Sequence, residues 1–139
     1  MKFLTNNHKQ LYAVMRIVTG FLFLWHGLQK LFGIPSPPPP GIPAFVLYVA
    51  GPIELIGGTL VMIGFLTRPA AFICSGLMAA AYWMAHGFNA LLPVQNQGEL
   101  AVLYCFVFLY ISSRGAGIWS VEGTQIEGSQ PLAAARIAG

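Results

Sequence analysis

An apolar run from Ala44 to Leu66 carries one ionisable residue, Glu54, near its middle. At about 1.5 Å per residue the run is long enough to cross a bilayer core of roughly 30 Å. A carboxyl group at that depth costs on the order of 3 kcal/mol unless it is neutral, paired or wet. On a helical wheel Gly51, Glu54, Gly57 and Gly58 fall within a sector of about 120°. That face is small and acidic, so it belongs against other helices rather than lipid.

Three further apolar segments supply those helices. Hydrophobic residues make up 56% of the 139 positions and charged residues only 8%, against roughly 25% charge in typical globular chains. The expectation is an all-α, integral membrane four-helix transmembrane bundle with helices over about 11–32, 44–66, 70–92 and 98–113. Residues 1–122 form one domain and 123–139 a cytoplasmic C-terminal tail with no core-forming pattern. Alone that tail should be loosely ordered, so contact with a partner is expected to hold it. The first run is of spanning length and lacks a small-residue cleavage site, so it reads as a span, not a cleaved signal.

Between the first two spans lies IPSPPPPGIP, whose prolines cannot continue a helix and favour a stiff exposed connector. Thr67-Arg68-Pro69 reads as a tight hairpin closing the second span. Four spans put both ends and this hairpin on one side. That side holds Lys2, Lys9, Arg16, Arg68, Arg114 and Arg136, against Lys30 alone on the other. The positive-inside rule then places both termini in the cytoplasm, in a multi-pass protein of the bacterial inner membrane. The net charge of +3 has no basic cluster behind it, so nucleic acid is not an expected partner. Cys74 and Cys105 read as buried free thiols at different depths.

This orientation gathers the polar residues. His26, Gln29 and Lys30 share a face at i, i+3 and i+4. Ser75, Ala79, Tyr82, His86 and Asn89 form a polar stripe on the third span. His26 and His86 each precede an outward exit by six residues, roughly 9 Å below the outer surface. Glu99 enters from the same side, Lys30 and Asn89 lie just above, and Glu54 lies below. The catalytic candidates are therefore His26, Glu54, His86 and Glu99, and the binding candidates His26, Lys30, Tyr82, His86 and Asn89. Each also has a structural alternative: Lys30 can snorkel, Glu99 can complement its helix dipole, and the histidines can be packing residues.

Imidazoles and carboxylates can supply hydrogen bonds and proton transfer to a quinone headgroup. Haem on two axial histidines would need facing imidazoles, and the sequence carries no more specific haem signal. A site of two histidines and one carboxylate is a weak metal pattern, and no metal is expected. No hydrolase triad, phosphate loop or Cys-x-x-Cys pair is present.

WHGLQKLFG (Trp25 to Gly33), GPIELIGGTLVMIGFLTRPAA (Gly51 to Ala71), His86, Asn96 to Glu99 and GAGIWSVE (Gly115 to Glu122) together resemble the DoxX family of small bacterial membrane proteins. The resemblance implies a four-helix membrane fold and a link to respiratory or redox chemistry. It points to members associated with quinol oxidase, thiosulfate:quinone oxidoreduction, thiol and oxidative-stress defence or quinone detoxification. The family's recurring polar positions fall on His26, Lys30, Glu54, Arg68, His86 and Glu99. The chain departs from the pattern in its proline-rich loop, at Ala116 and at Glu122. Two functions follow as expectations. One is a quinone-linked oxidoreductase component with an outer-leaflet pocket, which needs a membrane partner bearing flavin, haem or thiols. The other is a non-catalytic accessory subunit of a respiratory-type complex. Lipid, a membrane-protein partner or a second copy, and a quinone-like molecule are the expected contacts.

Overall fold

The computed structural model describes residues 2–88, 90 and 92–123, and every regular element among them is helical. A short helix α1 (Lys2–Asn6) leads into α2 (His8–Phe32). Gly33 ends α2 in the left-handed conformation, its N–H donating to the Gln29 carbonyl. Past the prolines, a π-helical turn (Val46–Ala50) runs directly into α3 (Gly51–Ile63). Gly64 closes α3 as Gly33 closes α2, and left-handed Leu66 turns the chain into α4 (Thr67–Ala81). α4 continues as a second π-helical segment, Tyr82–Gly87. A single turn, α5 (Pro93–Asn96), precedes α6 (Glu99–Arg114).

Several of these boundaries differ from the periodicity reading. Thr67-Arg68-Pro69 is the first turn of α4, where the N–H that proline lacks has no intrahelical partner to lose. The turn itself is Gly64 to Leu66. The third helix, expected to reach residue 92, stops at Gly87. Pro93 holds Leu92 extended (ψ 133°), away from helix. Position 89 and residues 124–139 lie outside the described residues, so the Asn89 stripe position and most of the expected tail do too.

α2 packs along α3 and α4 along α6, and α3 against α4 joins the two pairs. Glycine sets the first approach. A Cβ on Gly20 would stand 2.6 Å from the Gly58 carbonyl, and one on Gly58 2.7 Å from the Leu24 nitrogen. Such contact is closed to any residue with a side chain, so the small face read around Glu54 is where the α2 and α3 backbones meet. Phe23, Val61, Cys74, Phe108 and Ile111 form the buried centre. Many large apolar side chains point outward instead, among them Phe72, Leu103 and Phe106, each more than 60% exposed. α2 and the continuous helix Val46–Ile63 are each long and apolar enough to cross a membrane.

Two arginines tie the end of α6 and the loop after it to the other helices. Arg16 is fully buried; it donates to the Val61 and Met62 carbonyls at 2.6 and 2.7 Å and to that of Trp119 at 2.7 Å. These are orphan carbonyls at the C-terminus of α3 and in a loop, acceptors that a helix end leaves unpaired. Arg68 likewise donates to the Ser113 carbonyl at 2.7 Å. Glu122 completes the clasp, accepting from the Thr67 N–H at 3.0 Å while its own N–H donates to the Gly64 carbonyl. The cysteines are free. Their depths do not differ as expected: Ser75, next to Cys74, donates to the Cys105 carbonyl at 2.8 Å. α4 begins three residues earlier than the periodicity suggests, so Cys74 stands further into its helix than expected.

Candidate functional site

The C-terminal end of α2, the N-terminal halves of α3 and α6, and the π-helical segment after α4 surround a cavity of about 240 Å³. Aromatic packing makes its floor. The Phe23 ring lies 4.7 Å from Phe108 and 5.3 Å from Tyr104, centroid to centroid. Its polar lining is His26, Lys30, Glu54, His86, Gln97 and Tyr104. The α2 spacing read from sequence puts His26 and Lys30 one turn apart on the same wall.

Glu54 faces inward with only 3% of its surface exposed. Its Oε2 accepts from the Lys30 ammonium at 2.6 Å, so the charge in the apolar run is paired. Lys30 therefore does not snorkel; it crosses from α2 to α3. The pair also lines a second cavity of about 150 Å³, otherwise apolar, with Phe45, Leu77 and Met84. An ion pair thus stands between a polar chamber and an apolar one.

His86 sits on the π-helical segment, and its Nδ1 lies 2.8 Å from the Asn96 backbone oxygen. A carbonyl only accepts, so Nδ1 carries a proton, and in the neutral form of the ring Nε2 is the acceptor. The wider π turn is a local re-aiming device of the kind that recurs at functional sites. The His26 ring packs edge-on to Tyr104, centroids 6.2 Å apart. No hydrogen bond to that imidazole is present among the described residues.

The structure brings four of the sequence-derived candidates together: His26, Lys30, Glu54 and His86. Tyr82 stands one step back, accepting at its hydroxyl from Asn96 Nδ2 at 3.2 Å. Glu99 is not brought in. It is exposed in the first turn of α6, where a negative charge suits the helix dipole, and it is absent from the cavity lining.

Sequence reasoning missed Asn96 as an organiser. Its side chain also accepts from the Gly98 N–H at 2.8 Å and donates to the Ala90 carbonyl at 3.0 Å. A Cβ on Gly98 would fall 2.6 Å from the Tyr82 ring. The Asn-x-Gly spacing was the available signal: an amide beside a glycine folds back on its own backbone. Tyr104, which also lines the cavity, was not among the sequence-derived candidates.

Residues 11–87 match the DoxX family model. The chain is 40% identical over 116 residues to a Haemophilus influenzae protein named "Uncharacterized protein", covering 79% of this chain and 87% of that one. It is 30% identical over 118 residues to "Inner membrane protein YqjF" of Escherichia coli, covering 78% of this chain and 87% of that one. A shorter match, 42% identical over 59 residues, is to "Putative oxidoreductase CatD" of Bacillus subtilis; it covers 40% of this chain and 44% of that one. No solved structure matches. With the family model spanning more than half its length and its relatives matching along most of theirs, this chain belongs to the DoxX family of membrane proteins.

Proposed function

We propose that the protein is a quinone-linked redox component of the bacterial inner membrane. In this reading it is a four-helix transmembrane bundle with both termini cytoplasmic, and the polar cavity takes a quinone headgroup in the outer leaflet. The observation that carries the proposal is the cavity's composition. Two imidazoles, one of them with a free acceptor nitrogen, share about 240 Å³ with a lysine–carboxylate pair and an aromatic floor. That volume is just below the roughly 300 Å³ at which drug-sized pockets begin, which suits a single ring.

The chemistry follows from the donors. His86 Nε2 accepts the hydroxyl proton of a quinol, and His26 faces the same space from α2. Lys30 favours a reduced, anionic ring, and Glu54 is the buried group through which a proton can leave. Oxidising a quinol to a quinone releases two protons and two electrons. The electrons pass to a partner bearing flavin, haem or thiols, since the proposed role of these residues is proton handling. The similarity to a relative named as a putative oxidoreductase supports the redox class.

One observation favours a second reading, a non-catalytic accessory subunit. Lys30 and Glu54 are partnered to each other, and His86 is bonded to a backbone carbonyl, so three of the four polar groups already join helices or loops. Titrating a short-chain quinone into the purified protein in lipid nanodiscs separates the two. The quinone reading expects saturable binding that His26→Ala weakens at least tenfold. Absence of saturable binding to the folded wild type leaves the accessory reading.

A further inference from the structure

A third cavity, of about 230 Å³, opens at the other end of the fold, between the start of α2 and the loop after α6. Lys9, Tyr12, Arg114, Gly117 and Ile118 line it, with no carboxylate among them. The cations at this end fall into two kinds. Arg16 and Arg68 are committed to backbone carbonyls and hold the fold. Lys9 and Arg114 are exposed, and among the described residues neither side chain has a hydrogen bond or an ion pair. Arg114 is nevertheless held in place: its guanidinium carbon stands 5.7 Å from the centroid of the Tyr12 ring. That ring is itself fixed, its hydroxyl donating to the Gly115 carbonyl at 2.5 Å.

We propose that this cleft binds the phosphate of an anionic phospholipid. Two uncommitted cations facing one acid-free cleft match a phosphate, and the planar guanidinium can bind two of its oxygens at once. The neighbouring surface selects a lipid over a free anion. Tyr110, Phe106 and Leu103 lie four, eight and eleven residues before Arg114, so they follow it along one face of α6. All three are at least half exposed, and Tyr110 meets Tyr12 edge-on at 6.0 Å. An acyl chain laid on that stripe leaves its headgroup at the cleft. Basic pockets at a membrane surface bind anionic headgroups in this arrangement.

The test is lipid retention by native mass spectrometry of the full chain in detergent. The probes are phosphatidylglycerol, phosphatidylcholine and inorganic phosphate. Wild type should retain phosphatidylglycerol on the order of tenfold better than phosphatidylcholine. Lys9→Gln/Arg114→Gln should erase that preference while the helical content stays that of wild type, since neither side chain makes a hydrogen bond or ion pair among the described residues. Raising the salt of the wild type should erode the preference too, which tests the electrostatic part without any variant. Millimolar inorganic phosphate should leave the bound lipid in place. Equal retention of the two lipids by wild type would overturn the site. So would an undiminished preference in a folded double variant, while displacement by inorganic phosphate would overturn the lipid assignment.

Discussion

The Lys30 ammonium lies 2.6 Å from the Glu54 carboxylate, joining the end of α2 to the beginning of α3 inside an apolar stretch. This is how the chain accommodates the charge in its second apolar run. The partner is the residue one helical turn beyond His26, not the imidazole itself, although His26 and His86 line the same chamber. Whatever enters that chamber meets a neutralised pair, and only a group able to compete for Lys30 or Glu54 can separate it.

The pair's energetics can be measured directly. Glu54→Leu leaves the ammonium without its counter-ion, and Lys30→Met does the same to the carboxylate. Each should destabilise the fold by about 3–5 kcal/mol, the usual cost of removing one member of a buried pair. The double variant should recover most of that loss, because apolar groups of similar size satisfy the site. Thermal unfolding of the four proteins in one detergent closes the cycle. A double variant as unstable as the sum of the single ones would mean that the two residues act independently.

Arg16 supports a second prediction. Its guanidinium bridges the last turn of α3 to the loop after α6, whose Trp119 lies 103 residues beyond Arg16 in the chain. Arg16→Met strands those acceptors, each worth about 1–3 kcal/mol when left buried and unpaired. Amide exchange of residues 118–122 should rise sharply, with the α4–α6 contact less affected. Arg16→Lys should restore little, since one ammonium cannot span the same fork of carbonyls. Unchanged exchange at the loop in Arg16→Met would remove the bridge from any account of how it is held.

Much of this was legible in sequence because it is local. The glycine-flanked Glu54 face follows from helical periodicity alone, as do the shared wall of His26 and Lys30 and the helix-ending power of the proline stretch. What stayed hidden depends on distance in space. Arg16 read as a flanking charge because its acceptors belong to another helix and a distant loop. Lys30 could equally snorkel or serve the site, and its pairing with Glu54 became visible only with the close α2–α3 approach at Gly20 and Gly58. Glu99 seemed to converge with the histidines because depth was the only coordinate available. Rotation about the α6 axis points its carboxylate away. The third helix halts at Gly87 after a π-helical segment, which a 3.6-residue period cannot express.

Topology yields a third prediction. In the proposed four-span topology, six of the seven basic residues fall on the side of the termini. Reporter fusions at Gly139 and within Pro37 to Pro40 should report cytoplasmic and periplasmic environments, respectively. A periplasm-active fusion at Gly139 would invert the orientation and move the polar chamber to the inner leaflet.

The last prediction concerns the His86–Asn96 contact. Asn96 ties Tyr82, Ala90 and Gly98 together through its side chain and presents its backbone oxygen to His86 Nδ1, which sets the ring's tautomer. The two residues should therefore fail differently. His86→Ala removes the acceptor facing the chamber and should weaken quinol binding at least tenfold, with a stability change of about 1 kcal/mol, the worth of one hydrogen bond. Asn96→Ala keeps the imidazole and the backbone oxygen but strands the Gly98 N–H and the Tyr82 hydroxyl. It should cost about 1–3 kcal/mol and weaken binding indirectly by letting the ring turn. The tautomer gives the sharper readout. Nitrogen NMR of the ring should find Nδ1 protonated in wild type and a mixture of tautomers in Asn96→Ala. If His86→Ala loses stability as fully as Asn96→Ala while quinol binding stays intact, the imidazole is a loop fastener. The chamber's chemistry would then rest on His26, Lys30 and Glu54.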